Sequence, residues 1–318
     1  MDAEGEGELY VSCAGGTFAN ASFKYSEESV PANSKAYKLN LTGLKGGHSS
    51  LDIHLGRGNA NKLIFRFMRH AAKNFGLRLV EVKAGNLINA IPREAFTTVV
   101  VNADNASDFE TSLKEYENTY KNELKSVEPD LSFSCESKDM PSAVIDAETQ
   151  SRLFNAIYAC PNGVIRMSND MEGLVETSTN LSIVKSTDQT IAIQCFLRSS
   201  VESAKDDLEN MVESVFQLAG ADIIFDGQFP GWKPNMDSEI LQIMQDVYNN
   251  KWGEIPKIKG IHGGLECGIL GSGYPHWDMI SFGPTIRYPH SPDEKVNIKS
   301  VEKFWDFLVE TLKNIPAK

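Results

Sequence analysis

A chain of 318 residues with 41% hydrophobic side chains has material for more than one core. Its 43 acidic against 31 basic residues leave a net charge of −12, a surface that repels nucleic-acid phosphates and anionic membranes alike. No apolar run approaches the ~20 residues of a membrane span, and the five cysteines are scattered without a C-x-x-C pair, so a soluble, cytoplasmic protein with reduced thiols is expected.

The chain opens on "MDAEGEGELYVSCAGG", where Leu9 to Ser12 read as a strand and Gly15 and Gly16 as the turn that closes it. Such a start resembles the inside of a domain more than its edge. "KYSEESVPANS" is polar and loop-like, and "KAYKLNLTGL" alternates as a strand. "GRGNANKLIFRFMRHAAKNFG" has the apolar spacing of Leu63, Ile64, Phe67, Met68 and Ala71 between a glycine–asparagine start and Gly76, an amphipathic helix with start and stop signals. Strands at "LRLVEVKAG" and "EAFTTVVVNA" follow, then a charged helix at "SDFETSLKEYENTYKNELK" and a strand at "DLSFSCES".

The order then recurs: helix "DAETQSRLFNAIYA", strands "GLVETSTNLSIVKS" and "TIAIQCFLRSS", helix "VESAKDDLENMVESVFQLAG", strand "ADIIFDGQ". This repeat predicts an α+β domain of two related halves over residues 35–230. After the break "FPGWKPNMDS" come a helix at "SEILQIMQDVYNNKWG", apolar turns and strands at "IHGGLECGIL" and "WDMISFGP", and a closing helix at "SVEKFWDFLVETLKNI". Residues 231–318 alternate strand and helix as an α/β domain does, and the orphan strand near residues 9–14 is the natural partner for them. The expected organisation is therefore 1–34 and 231–318 as one discontinuous α/β domain, with 35–230 inserted.

Few residues stand out chemically. His290, between two prolines in "RYPHSPDE", sits on a stiffened loop suited to a metal ligand, although a loop histidine with no role is the commoner case. His48 follows a double glycine, where the backbone can approach a ligand and an imidazole can donate to an oxyanion. His54 reads as a structural or surface histidine. Asn86 and Asn89 in "GNLINAIPRE" suit a turn that satisfies its own backbone. Arg198 ends an apolar strand and needs a carboxylate, internal by preference or else from a substrate. His262 with Glu266, and His276 with Asp278, have metal-ligand spacings that arise readily by chance. No G-x-S-x-G elbow, P-loop or dinucleotide fingerprint is present.

Together "MDAEGEGELYVSCAGG", "LTGLKGGHSSLDIHLGRGNANK", "NLINAIPREA", "FLRSS", "PGWKPN", "HGGLECG" and "SFGPTIRYPHSPDE" resemble the aminoacyl-histidine dipeptidases, of the co-catalytic zinc aminoacylase and carboxypeptidase superfamily. The resemblance implies a zinc-peptidase α/β catalytic domain, here incomplete, with an inserted α+β lid, and hydrolysis of Xaa-His and other unblocked dipeptides. It implies two zinc ions, replaceable by manganese or cobalt, with Asp2 resembling a ligand to one and His290 a ligand to the other. His48 resembles the lid histidine that stabilises the oxyanion. Asn89, Arg198 and Gly264 resemble substrate contacts, the arginine on the C-terminal carboxylate, and the lid allows a homodimer. His262, Glu266, His276 and Asp278 are not among the matched ligands. The family's H-x-D motif, bridging aspartate and glutamate pair lie upstream of Met1, so Met1 reads as a truncation point or mis-assigned start. The alternative expectation is a catalytically incomplete fragment or pseudo-enzyme that keeps a peptide-binding, dimerising lid.

Overall fold

The computed structural model describes residues 2–316. Nine antiparallel strands form its main sheet. Eight run across it in the order Asp222–Phe229, Gly15–Lys24, Thr190–Ser199, Val175–Thr187, Arg78–Ala84, Ala95–Asn102, Ser34–Thr42, Ser132–Lys138, and Gly163–Met167 pairs with Val175–Thr187 off that path. Helices α1 (Ala60–Phe75), α2 (Ala106–Glu123), α3 (Ala147–Ala159) and α4 (Glu202–Leu218) cover one face. The period-3.6 stripe of each helix meets the period-2 apolar face of the strands. Phe65, Phe67 and Met68 of α1, Phe109 of α2, Phe154 of α3 and Phe216 of α4 share one core with Leu39, Leu79, Val99, Ile193 and Leu197. The start and stop signals of α1 act as expected: the Asn59 side chain accepts the Lys62 N–H, and Gly76 closes the helix at φ 66°.

The two related halves are two β-α-β-β-α-β units. One runs Ser34–Thr42, α1, Arg78–Ala84, Ala95–Asn102, α2, Ser132–Lys138. The other runs Gly15–Lys24, α3, Val175–Thr187, Thr190–Ser199, α4, Asp222–Phe229. The first is nested inside the second, between its opening strand and α3. Their seam is short, with Val184 opposite Ala84 and Lys185 opposite Lys83.

This nesting corrects the expected boundary. Gly15 and Gly16 do not turn the chain; they begin the strand Gly15–Lys24, which is bonded on one side to Thr190–Ser199 and on the other to Asp222–Phe229. The lid sheet therefore starts at Gly15 and not at residue 35. Gly16 is a glycine because the rings of Phe196 and Phe229 occupy the space of a side chain there, a demand of packing that imitates a turn signal in sequence. The polar run after it also holds a short strand, Glu27–Ser29, paired with Ala143–Ile145.

The remaining layer is α/β. Glu8–Cys13 pairs in parallel with Lys257–Ile261, the partnership expected of the orphan strand. Helices α5 (Glu239–Trp252) and α7 (Ile298–Asn314) pack Leu241, Met244, Tyr248 and Phe307 against Leu9 and Val11. "GLECGIL", expected as turns and strands, is mostly helix: α6 spans Glu266–Gly273. The Asp2 carboxylate accepts the Glu266 N–H at 2.8 Å and so satisfies a donor at its first turn. Asp278 does the same for α5, accepting the Ile240 N–H at 3.0 Å. That is a structural task for a carboxylate whose spacing from His276 suggests a ligand.

Candidate functional site

The lid face opposite the helices carries Arg198. Along Thr190–Ser199, Ile191, Ile193, Cys195 and Leu197 point to the core, so Phe196 and Arg198 alternate to the other side. Arg198 is only 5% exposed and sits over Phe196, its guanidinium carbon 3.9 Å from the ring centroid. Its Nε has no partner, and among the described residues no carboxylate neutralises it. Burial pushes its pKa down to about 10, so it is still charged at neutral pH. The internal carboxylate that sequence reasoning preferred is missing. A buried, unpaired cation is costly, and an anionic ligand is the group that would remove the cost.

Around Arg198 stand other expected residues. Phe229 meets Phe196 edge to face at 6.4 Å, and Gly264 packs its bare α-carbon against Phe229. His48 lies within the field of Arg198: burial, then the arginine charge, lower its pKa, while Asp52 opposes them. The Ser50 N–H donates to His48 Nδ1 at 3.2 Å, and the Ser50 hydroxyl is 2.6 Å from the same nitrogen. In the neutral ring Nε2 then carries the proton and is a free donor.

The loop holding His48 is clamped. Gly47–His48 pairs with Ala90–Ile91, and the Asn89 carbonyl accepts the Ser49 N–H at 2.9 Å. Asn89 thus adjoins His48 through its backbone, with its own side chain exposed. The His48 N–H donates to Asp52 at 2.8 Å, and Arg57 pairs with Asp52 at 3.3 Å while donating to the Gly46 carbonyl at 2.6 Å. Gly47 sits at φ 136°, and any side chain there would strike Arg57 and Asp52. Sequence reasoning missed the main clamp, Glu128. It is 1% exposed and accepts the Lys45 N–H at 2.7 Å and the Gly58 N–H at 2.8 Å, gripping both ends of the loop. An acidic residue before a proline carries no signal of that task.

Asp2 and His290 belong to the α/β layer. Asp2 reaches the start of α6, two residues beyond Gly264. His290 is exposed at φ 59°, its N–H bonded to Glu294 at 2.9 Å. Between them lies Glu4, whose pKa burial raises, with His290 opposing and Asp2 and Glu294 adding to the rise. Among the described residues no three His, Cys, Asp or Glu side chains converge as a metal site. Glu266 is exposed at its helix start and His276 is exposed on its loop. Two donors, one already capping a helix, do not meet the three or four that zinc requires.

His262 is the unexpected member. It is 5% exposed, with Nε2 2.7 Å from the Ser178 hydroxyl, and Ser178 stands directly opposite Arg198 in the strand register. Burial, reinforced by the Arg198 charge, depresses its pKa to about 3, so the ring is neutral.

A two-unit lid of this topology, docked on a parallel α/β layer and presenting an unpaired arginine, has the build of a peptidase with a dimerisation lid. Residues 39–128 match the peptidase dimerisation domain family. The whole chain is 43% identical over 317 residues to the cytosol non-specific dipeptidase of Escherichia coli (strain K12), covering 100% of this chain and 65% of that protein. It superposes on the crystal structure of aminoacylhistidine dipeptidase from Vibrio alginolyticus with a TM-score of 0.96 and 46% identity, over 99% of this chain and 64% of the other. Aminopeptidase PepT from Bacillus cereus ATCC 10987 shares the fold at a TM-score of 0.50 and 12% identity, over 99% of this chain and 56% of that one. The resemblance to the aminoacyl-histidine dipeptidases is borne out: the chain is their relative along its whole length. It spans just under two thirds of the length of the curated relative.

Proposed function

We propose that this chain serves the hydrolysis of unblocked dipeptides, Xaa-His among them, by holding the substrate's C-terminal carboxylate on Arg198. The observation that carries the reading is the buried guanidinium, which has no carboxylate partner among the described residues. A planar fork of donors suits a carboxylate, and in a dry site such a pair is strong. His48 offers its Nε2–H to the peptide carbonyl as negative charge develops there, and Gly264 and Asn89 border the same space. Similarity along the whole of this chain to part of two dipeptidases supports the substrate class.

Zinc is the metal the resemblance names, with Asp2 and His290 as the donors this chain contributes, one to each of two ions. These two donors alone make no zinc site, so the residues described here supply substrate grip and charge stabilisation and no water activation. That favours a second reading for the chain taken alone, as a peptide-binding, dimerising lid without a catalytic centre. One experiment separates the two. Hydrolysis of β-alanyl-histidine and Leu-His is followed with added zinc, and binding of each dipeptide and of its C-terminal amide is followed by calorimetry. The proposal expects tighter binding of the free acid than of the amide, and loss of that preference in Arg198→Ala. Equal binding of acid and amide would sink it. Zinc-dependent turnover that collapses in Arg198→Ala would rule out the second reading.

A further inference from the structure

His262 lies where the two layers join. A single amide, Ala14 N–H, donates to the Ile261 carbonyl at 3.1 Å and to the Gly263 carbonyl at 2.9 Å, so the backbone on both sides of His262 is pinned to the residue through which the chain enters the lid. From this fixed base the imidazole crosses to the lid and meets Ser178 at 2.7 Å. Ser178 Oγ has no other partner among the described residues, so its hydrogen goes to Nε2 and the proton of the neutral ring rests on Nδ1. Nδ1–H faces the Val175 backbone, a hydrogen-bonding contact that opposes the fall in the ring's pKa. Both ring nitrogens therefore meet the strand Val175–Thr187, Nε2 at Ser178 and Nδ1 at Val175, on the strand that pairs with the one carrying the unpaired arginine.

Resting on the carboxylate reading above, we propose that His262 is a positioning residue of that subsite. Its bond to Ser178 latches the α/β layer to the lid strand opposite Arg198 and sets the space in which the guanidinium meets a dipeptide carboxylate. Without the latch the guanidinium keeps its charge and its seat on Phe196, but the wall that confines the carboxylate is free to shift, and preference for the free acid falls.

The test is calorimetric titration of β-alanyl-histidine and of its C-terminal amide into the full chain, as wild type, His262→Ala, His262→Gln, Ser178→Ala and the double variant H262A/S178A. The terminal amide oxygen of glutamine reaches the place of imidazole Nε2, accepts from the Ser178 hydroxyl and keeps the latch. His262→Ala and Ser178→Ala are each expected to weaken free-acid binding about tenfold, the loss of one buried hydrogen bond. The amide's affinity stays unchanged, the double variant is no worse than either single one, and His262→Gln stays within about threefold of wild type. Undiminished free-acid preference in Ser178→Ala, or losses that multiply in the double variant, would overturn the latch. Should His262→Ala not fold, Ser178→Ala and His262→Gln decide the matter between them. A wild type that binds acid and amide equally would instead overturn the carboxylate reading on which the latch depends.

Discussion

Arg198 and His262 show how burial decides what a side chain can do. Each is 5% exposed, yet one stays charged and the other stays neutral. The arginine begins far above neutrality and loses only part of that margin, whereas burial and its neighbour's charge carry the histidine from near 6.5 to about 3. The folded protein therefore binds the His262 proton more weakly than the unfolded chain does. Its contribution to stability is complete above pH ~6.5 and is lost as pH falls from there toward 3, by at most about 1.4 kcal/mol per pH unit. Urea midpoints measured from pH 7 to pH 4 should fall more steeply for wild type than for His262→Gln, which has no proton to gain, and parallel curves would refute the assignment. Arg198 was legible in sequence as a strand-end arginine in need of an anion. That the anion is not internal was not, because pairing depends on which carboxylates the fold leaves within reach. His262 could not be told from a chance ligand spacing, since its role comes from a strand in another part of the chain.

Among the elements, the loop from Lys45 to Gly58 depends most on one distant residue. Its glycines and histidine were readable as a place of close backbone approach, but the carboxylate that fastens both ends was not. Removing Glu128 leaves two backbone N–H groups without acceptors, one in a fully buried place. Glu128→Ala is expected to destabilise the fold by about 2–4 kcal/mol. It should also release the field of Arg198 on His48, moving the imidazole toward its ordinary pKa. Denaturant unfolding together with NMR titration of His48 checks both effects; a variant with wild-type stability would show that the clamp is dispensable. Helix α1 was legible from its apolar periodicity and caps, because its long stripe faces the sheet between clear start and stop residues. Helix α6 was hidden by its glycines, and it stands because Asp2, far away in sequence, supplies an acceptor at its start.

For the molecule as a whole, the recurrence of helix, strand, strand, helix, strand was visible, and so was its division into related halves. The opening strand of the outer unit was not, since its glycines look like a turn and its two partners come far later in the chain. Residues 39–128 match a peptidase dimerisation domain, so self-association is the property to test. Sedimentation velocity at micromolar concentration should give twice the chain mass, and a monomer at every concentration would count against pairing through the lid. The nesting of one unit inside the other also orders events in time. The inner unit, residues 34 to 138, has its own strands and helices at hand as soon as it is made. The strand Gly15–Lys24 must wait: Asn20 meets Gln194 across a separation of 174 residues. Closing so long a loop is slow compared with pairing neighbours. During synthesis the strand Gly15–Lys24 thus stays unpaired until its first partner, Thr190–Ser199, has been made, and that interval is when the protein is most open to capture by chaperones or by another copy of itself.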